Sequence, residues 1–257
     1  MIPMSLSPLR FVSAATAALV LAIAARAAEL PIISKARARV GSEVALNEVK
    51  SIHYVGTLVT ADPTDPSKQQ RAAIEIVFQK NDQQRITATS DKLIETTALD
   101  NYDAWQRKQD PADPTKWQQT LLGADQIKRL RANTWETLAF FRGLETRGGR
   151  VEDLGPVTID GVACQKVAFI HATNIRFLRY FDLVTGRLVF TETESGGTLR
   201  EQGEILAAGL RFPKTLVTTT KSPEGKVQTV TINVEKVTVN EVFPASFFAV
   251  PILSPRK

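Results

Sequence analysis

Along most of this chain apolar and polar residues alternate in short runs, and only two stretches carry apolar residues at helical spacing. Ser51 to Thr60 sets Ile52, Tyr54, Gly56 and Leu58 against His53, Val55, Thr57 and Val59, which is the period of a strand. Gly56 inside it predicts a bend or bulge. Arg71 to Gln79, Arg85 to Ser90 and Lys92 to Leu99 read as three more strands. The densest stretch is Val157 to Ser195. Asp160-Gly161 suits a tight hairpin turn, because both of its central residues must hold positive φ. Strands are then expected from Ala163 to Ile170, Ile175 to Phe181 and Arg187 to Thr193, with a turn cluster at Asp182 to Gly186. Here the alternation blurs: Val167 and Phe169 lie opposite Ala168 and Ile170, and Phe177 and Phe181 opposite Leu178 and Tyr180. Either the sheet is packed on both sides, or one face is core and the other lines a cavity. Leu199 to Ala207 adds a strand, and Lys214 to Thr220 pairs with Val227 to Val239 across the loop Lys221 to Lys226.

The helical stretches differ in weight. Ser42 can cap a short helix carrying Ala45, Leu46 and Val49. Asp125 to Phe141 is the stronger one, with Ile127, Leu130, Thr134, Leu138 and Phe141 in one stripe, broadened by Trp135 and Ala139. Leu30 to Val40, with Pro31 and three basic residues, reads as an extended, exposed arm. Loops are expected at Ala61 to Gln70 and, through two Asp-Pro steps, at Gln109 to Thr115. Asn101 to Trp105 reads as a polar–aromatic turn. The apolar, proline-bounded tail Phe243 to Pro251 is expected to close against the sheet. The fold class is therefore mainly β with α insertions: a single strongly curved antiparallel sheet, an unclosed β-barrel, with a helical lid on its concave side.

Composition adds few constraints. The 257 residues are 43% hydrophobic and 23% charged, ordinary for a globular chain. The N-terminus is different. Arg10 precedes an uncharged run from Phe11 to Ala25, and Ala25-Arg26-Ala27 has the small-x-small form of a cleavage site. The run is short for a membrane span, so residues 1–27 are expected to be a cleaved signal peptide and 28–257 a single exported, periplasmic domain. Removal takes the formal charge from +5 to +3 (30 basic against 27 acidic side chains), and no cluster of Lys and Arg speaks for nucleic acid. Cys164, the only cysteine, sits in a predicted strand beside Val162 and reads as a buried, inert thiol.

Several short motifs then fall in a telling order. A signal peptide leads to Ala45-Leu46 and Ile52 to Gly56, a short helix running into a first strand. Asn101-Tyr102-Asp103-Ala104-Trp105 follows, then Ile159 to Val167 with its Asp-Gly and Cys, Phe181 to Leu188 with its Asp and Thr-Gly, Leu210 to Pro213, and Phe247 to Pro251. This order resembles the outer-membrane lipoprotein-sorting proteins of the LolA-like superfamily, over nearly the whole mature chain. Ala104 departs from the pattern, where Gly is common. The resemblance implies an unclosed β-barrel with a helical lid, a hydrophobic cavity for lipid or lipoprotein acyl chains, and no catalysis. It also implies a monomer, with transfer proteins at the inner and outer membranes as its candidate partners.

The residues offer little chemistry. Only His53 and His171 are available for metal binding or acid–base work, and no ligand spacing joins them. The chain lacks Gly-x-Ser-x-Gly, a P-loop and a dinucleotide fingerprint. Glu192 and Glu194 share a strand face as a solvated pair. No catalytic residue, cofactor or metal is expected. The candidate site is the apolar lining between helix and sheet: Trp135, Leu138, Phe141, Phe169, Phe177, Phe181 and Phe190. The alternatives are a protein-binding module that adds a strand at an open sheet edge and, more weakly, an exported hydrolase.

Overall fold

The computed structural model describes residues 29–61, 68–221 and 225–251. The expected signal peptide therefore lies outside the described residues, as do most of the loop from Ala61 to Gln70 and the middle of the loop from Lys221 to Lys226.

Two helices lead, α1 (Pro31–Val40) and α2 (Glu43–Glu48). The arm expected to be extended is thus helical: Pro31 occupies the first turn, where its missing N–H costs nothing and its fixed φ suits a helix. Ser42 caps α2 through the Ala45 N–H, as its sequence predicts. A meander follows: β1 (Ser51–Ala61), β2 (Gln69–Gln79), β3 (Gln83–Thr89), β4 (Ile94–Asp100), β5 (Asp103–Gln109) and β6 (Trp117–Leu121), each antiparallel to the last. Only Asn101-Tyr102 form the turn there. Ala104 and Trp105 are buried strand residues of β5.

The chain then crosses over as α3 (Ala124–Ala139) and starts a second meander, β7 (Arg150–Ile159), β8 (Val162–Ala172), β9 (Ile175–Asp182), β10 (Leu188–Thr193) and β11 (Thr198–Gln202). The strand β7 begins seven residues ahead of Val157, because Gly148 and Gly149 end the preceding turn and not the sheet. The single strand expected from Leu199 to Ala207 divides at Gly203. Its second half, β12 (Ile205–Ala207), pairs with β13 (Leu210–Phe212) as a separate two-stranded ribbon. Last come β14 (Thr215–Lys221) and β15 (Val227–Val239).

Among the described residues thirteen strands form one sheet, in the order β6-β5-β4-β3-β2-β1-β15-β14-β11-β10-β9-β8-β7. Its two edges, β6 and β7, do not pair with each other; α3 is the covalent bridge between them. The same helix packs against β2, β3 and β4 and also against β9. Strands β4 and β9 stand third and eleventh in the order, which would put them nearly 40 Å apart in a flat sheet at about 4.8 Å per strand. One helix can touch both only if the sheet curls around it, so the sheet is an unclosed barrel with α3 inside the curve.

Local chemistry sets this geometry at two glycines. At Gly56 the pairing of β1 with β15 slips by one residue, and a Cβ there would lie 2.0 Å from the Asn233 carbonyl oxygen. Gly186, at φ 74°, ends the turn after β9 and lets the backbone of α1 at Lys35 approach to 2.8 Å of where a Cβ would stand. The Asp160-Gly161 hairpin has positive φ at both residues, 49° and 78°.

The core lies in two main clusters on the inner side. One gathers Leu46, Val49, Ile52, Tyr54, Ile74, Phe78, Leu138, Leu210 and Phe212 beneath α2 and the ribbon. The other joins Ile33 and Ala36 of α1 to Ala132, Leu144, Val167, Phe169, Phe177 and Phe181. The C-terminal tail closes the outer side of the first meander. Trp105 donates its indole N–H to the Phe248 carbonyl at 2.9 Å, and Arg85 stacks on Phe247 at 4.4 Å.

Candidate functional site

Between α3 and the concave face lies a cavity of about 800 Å³, within the range of small-molecule sites. The sheet supplies Ile52, Tyr54 and Leu216, among others, and α3 with the residues just past it supplies Leu130, Asn133, Thr137 and Phe140. The wall is graded. Where β10, β11 and β14 approach their hairpin turns it carries Thr193, Ser195, Thr198 and Thr220; towards α1 and the ribbon it turns apolar, with Val40, Phe140 and Phe212.

Of the residues expected on this wall, the structure places Phe141 and Phe177 there. Phe169 and Phe181 stand behind Phe141, fully buried, with ring centroids 6.2 and 5.1 Å from it. Leu138 points into the cluster beneath α2, and Trp135 packs over His171 at 6.0 Å on the opposite flank of the helix. Phe190 lies on the outer face of the sheet, its ring tilted against Tyr180 at 5.3 Å and covered by the Arg200 guanidinium at 4.7 Å. That outer face is a small third cluster with Cys164, Tyr180 and Val189, which is why the alternation in β8 to β10 is blurred. Cys164 is fully buried there, and burial pushes its thiol up, in keeping with an inert role.

The helix face at the cavity is offset from its most apolar stripe. Gln126, Leu130, Asn133, Thr137 and Phe140 follow one another at helical spacing along the cavity side. The offset arises because α3 is wedged between two cores, Leu138 in one and Ala132 with Trp135 in the other, and the helix face between them meets the cavity.

Polar anchors hold α3 in this position. Glu136, with a fully buried side chain, accepts from Arg179 of β9 at 2.6 Å and lies 2.5 Å from His171 Nε2 of β8. Arg179 also reaches Thr191, and its guanidinium lies 5.5 Å from the Phe141 ring. Thr134 donates to the buried Gln84 side chain of β3 at 2.9 Å. At the C-terminus of α3, the buried Arg37 of α1 donates to the carbonyls of Ala139 and Phe140 at 2.9 and 2.8 Å, and doubly to Glu43. Arg129, nearer the other end, pairs with Glu194 and donates to the Asn174 carbonyl. Glu136 escaped the sequence reading. Its signal was a carboxylate four residues after Ala132 and three before Ala139, at the margin of an apolar stripe.

Two polar groups on the wall have no such partner. Glu201 of β11 and Tyr54 of β1 line the cavity, and among the described residues neither side chain makes a hydrogen bond. Removal from water pushes the Glu201 carboxyl up to about 7, against the pull of Arg179 and Arg187. Burial, with the charge of Glu201 adding to it, pushes the Tyr54 hydroxyl well above the usual phenol range. The sequence signal for Glu201 was slight: a carboxylate two residues after Leu199, hence on the same strand face.

His53 lies away from the cavity, between Glu241 at 2.7 Å and Glu75 at 2.9 Å. Among the described residues no group of three His, Cys, Asp or Glu side chains converges on a point where a metal ion could sit, and no helix is long and apolar enough to cross a membrane.

No family model and no curated protein matches this sequence. Solved structures do. A LolA superfamily protein from Nitrosomonas europaea aligns with a TM-score of 0.54 at 12% identity, over 85% of this chain and 96% of that one. A DUF1329 family protein from Desulfovibrio piger gives 0.54 at 7% identity, over 85% and 95%. A domain from Vibrio parahaemolyticus, described as an outer membrane lipoprotein-sorting protein domain, gives 0.52 at 9% identity, over 84% and 94%. At such identities the likeness concerns architecture: this chain has the LolA-like fold.

Proposed function

We propose that this LolA-like chain is an exported carrier that holds lipid, or the acyl chains of lipoproteins, under α3 and moves it towards the outer membrane. The observation that carries the reading is the cavity itself, about 800 Å³ between a helix and the concave face of a sheet that does not close. Burial alone can hold such cargo, because each CH₂ withdrawn from water contributes about 0.8 kcal/mol. The reading assigns binding and transfer, without catalysis or a cofactor. Cargo contacts fall to the residues on the wall, Phe141 and Phe177 from the aromatic set together with Leu130, Leu216 and Ile232. Residues 1–27 act as the signal peptide. Cleavage near Ala27 keeps Glu29, which binds Arg142 at 2.7 Å beside the end of α3.

Native mass spectrometry of gently extracted protein tests the reading by looking for co-purified lipid. Binding of an apolar fluorescent probe should be lost when the cavity is filled by Leu216→Trp with Ile232→Trp. A protein that carries no lipid and binds no probe refutes it. Strand addition at the free edge of β6, where Trp117 and Leu121 are exposed, is the second reading.

A further inference from the structure

The main cavity continues beneath α1 and the ribbon into a side pocket of about 60 Å³, and Val40, Phe141, Glu201 and Phe212 line both. Three arginines line the side pocket: Arg39 of α1, Arg187 just before β10 and Arg211 of β13. Their guanidinium groups are drawn together along residues 201–204, where the chain passes from β11 to the ribbon. Arg187 Nη1 donates to the main-chain oxygen of Glu201 at 3.2 Å. Arg39 and Arg211 share one carboxylate: Arg39 binds one oxygen of Glu204, and Arg211 Nε stands 3.7 Å from the other. Arg211 Nη1 also donates to the Arg39 carbonyl at 3.0 Å. The charges do not balance. Among the described residues Arg187 makes no salt bridge, and the buried Nε of Arg39 has no hydrogen-bond partner. Asp182, whose charge Arg187 also feels, is held by the Val184 and Thr185 amides of its own turn. Three guanidinium groups on this pocket thus face two carboxylates, Glu204 and Glu201, and Glu201 feels Arg179 of β9 as well.

An uncompensated guanidinium at the end of an apolar cavity favours an anion, because carboxylate and phosphate oxygens match its planar fork of donors. The space suits a head and not a chain. It has room for a few waters, so a carboxylate or phosphate fits there while an acyl tail must lie in the main cavity. Val40, Phe141 and Phe212, where the two spaces join, give the first methylenes an apolar wall. Glu201 stands at the same junction, and its charge opposes an incoming anion without cancelling three arginines. We infer that Arg39, Arg187 and Arg211 form a subsite for the anionic head, carboxylate or phosphate, of an acyl cargo. This rests on the carrier reading above and adds to it the charge and orientation of the cargo, with its head beneath α1 and its tail under α3.

The test is displacement of the apolar probe N-phenyl-naphthylamine by three lipids of equal tail length, each below its micelle concentration: laurate, dodecyl phosphate and the neutral monolauroylglycerol. At about pH 8 Glu201 is mostly ionised. Wild type should release the probe at roughly tenfold lower concentration of an anionic lipid than of the glycerol ester, the effect of one charge-assisted pair. An advantage for laurate alone identifies a carboxylate head, for dodecyl phosphate alone a phosphate head, and for both a site that takes either. The advantage is a ratio within each protein, so a general change in affinity cancels. Arg187→Gln and Arg211→Gln should each reduce it to under about threefold, and Glu201→Gln should enlarge it by removing the opposing charge. If one arginine variant does not fold, the other carries the comparison. No anionic advantage in wild type, one that the folded arginine variants keep, or one that shrinks in Glu201→Gln overturns the inference and leaves the carrier reading standing. Failure of the probe and of all three lipids to bind overturns the two together.

Discussion

Two leucines of one helix should answer truncation in opposite ways. Leu138 is 6% exposed and packs among Leu46, Val49, Ile52 and Ile74, whereas Leu130 is half-buried and lines the cavity. Leu138→Ala removes three buried carbons, about 2.4 kcal/mol at 0.8 per group, and leaves a void that neighbours on the sheet cannot refill; the total should reach about 3–4 kcal/mol. For a domain of this size that is a fall in Tm of about 6–16 °C, at roughly 2–4 °C per kcal/mol. Leu130→Ala enlarges a space that already exists, so its cost should stay under about 1 kcal/mol, while the lost wall contact weakens probe binding several-fold. Scanning calorimetry and probe titration on the two variants measure all four quantities. Equal destabilisation by both, with probe affinity unchanged in Leu130→Ala, would refute the assignment of the α3 faces and with it the cavity as a cargo site.

Glu136→Gln should lower stability by about 3 kcal/mol in urea unfolding, because it strips the counter-charge from Arg179 and leaves two of its donors poorly matched; a loss below about 1 kcal/mol would show that the Glu136 cluster does not anchor α3. Glu201 makes the opposite kind of contribution. Its folded pKa is raised, to about 7, so the folded chain keeps its proton where the unfolded chain has lost it. The stability difference between wild type and Glu201→Gln should therefore move against wild type as pH rises from about 4.5 to 7, by on the order of 3 kcal/mol, and level off above that. Parallel stability curves for the two proteins across that window would remove Glu201 from the cavity wall.

Much of this fold was legible because local rules and tertiary structure agree. Asp160-Gly161 could form little else than a tight hairpin, the alternation of Ile52, Tyr54 and Leu58 is that of a one-sided strand, and Gly56 sits where β1 slips against β15. The order of these signals was enough for an open, helix-lidded sheet. Pro31 misled, since proline is equally at home in an extended arm and in the first turn of a helix, and only packing of Ile33 and Ala36 against Leu188 and Phe181 decides between them. The site was less legible. Periodicity locates the apolar stripe of α3 but not what it faces, and the curl of the sheet sends Leu138 and Trp135 into two cores and turns Leu130 and Asn133 to the cavity. Phe177 and Phe190, alike in sequence, are parted by the register of β9 and β10, one inside the curve and one out. Glu201 is one carboxylate among many in the sequence; it is distinctive only because the curl of the sheet sets it on the cavity wall, where burial pushes its carboxyl up to about 7.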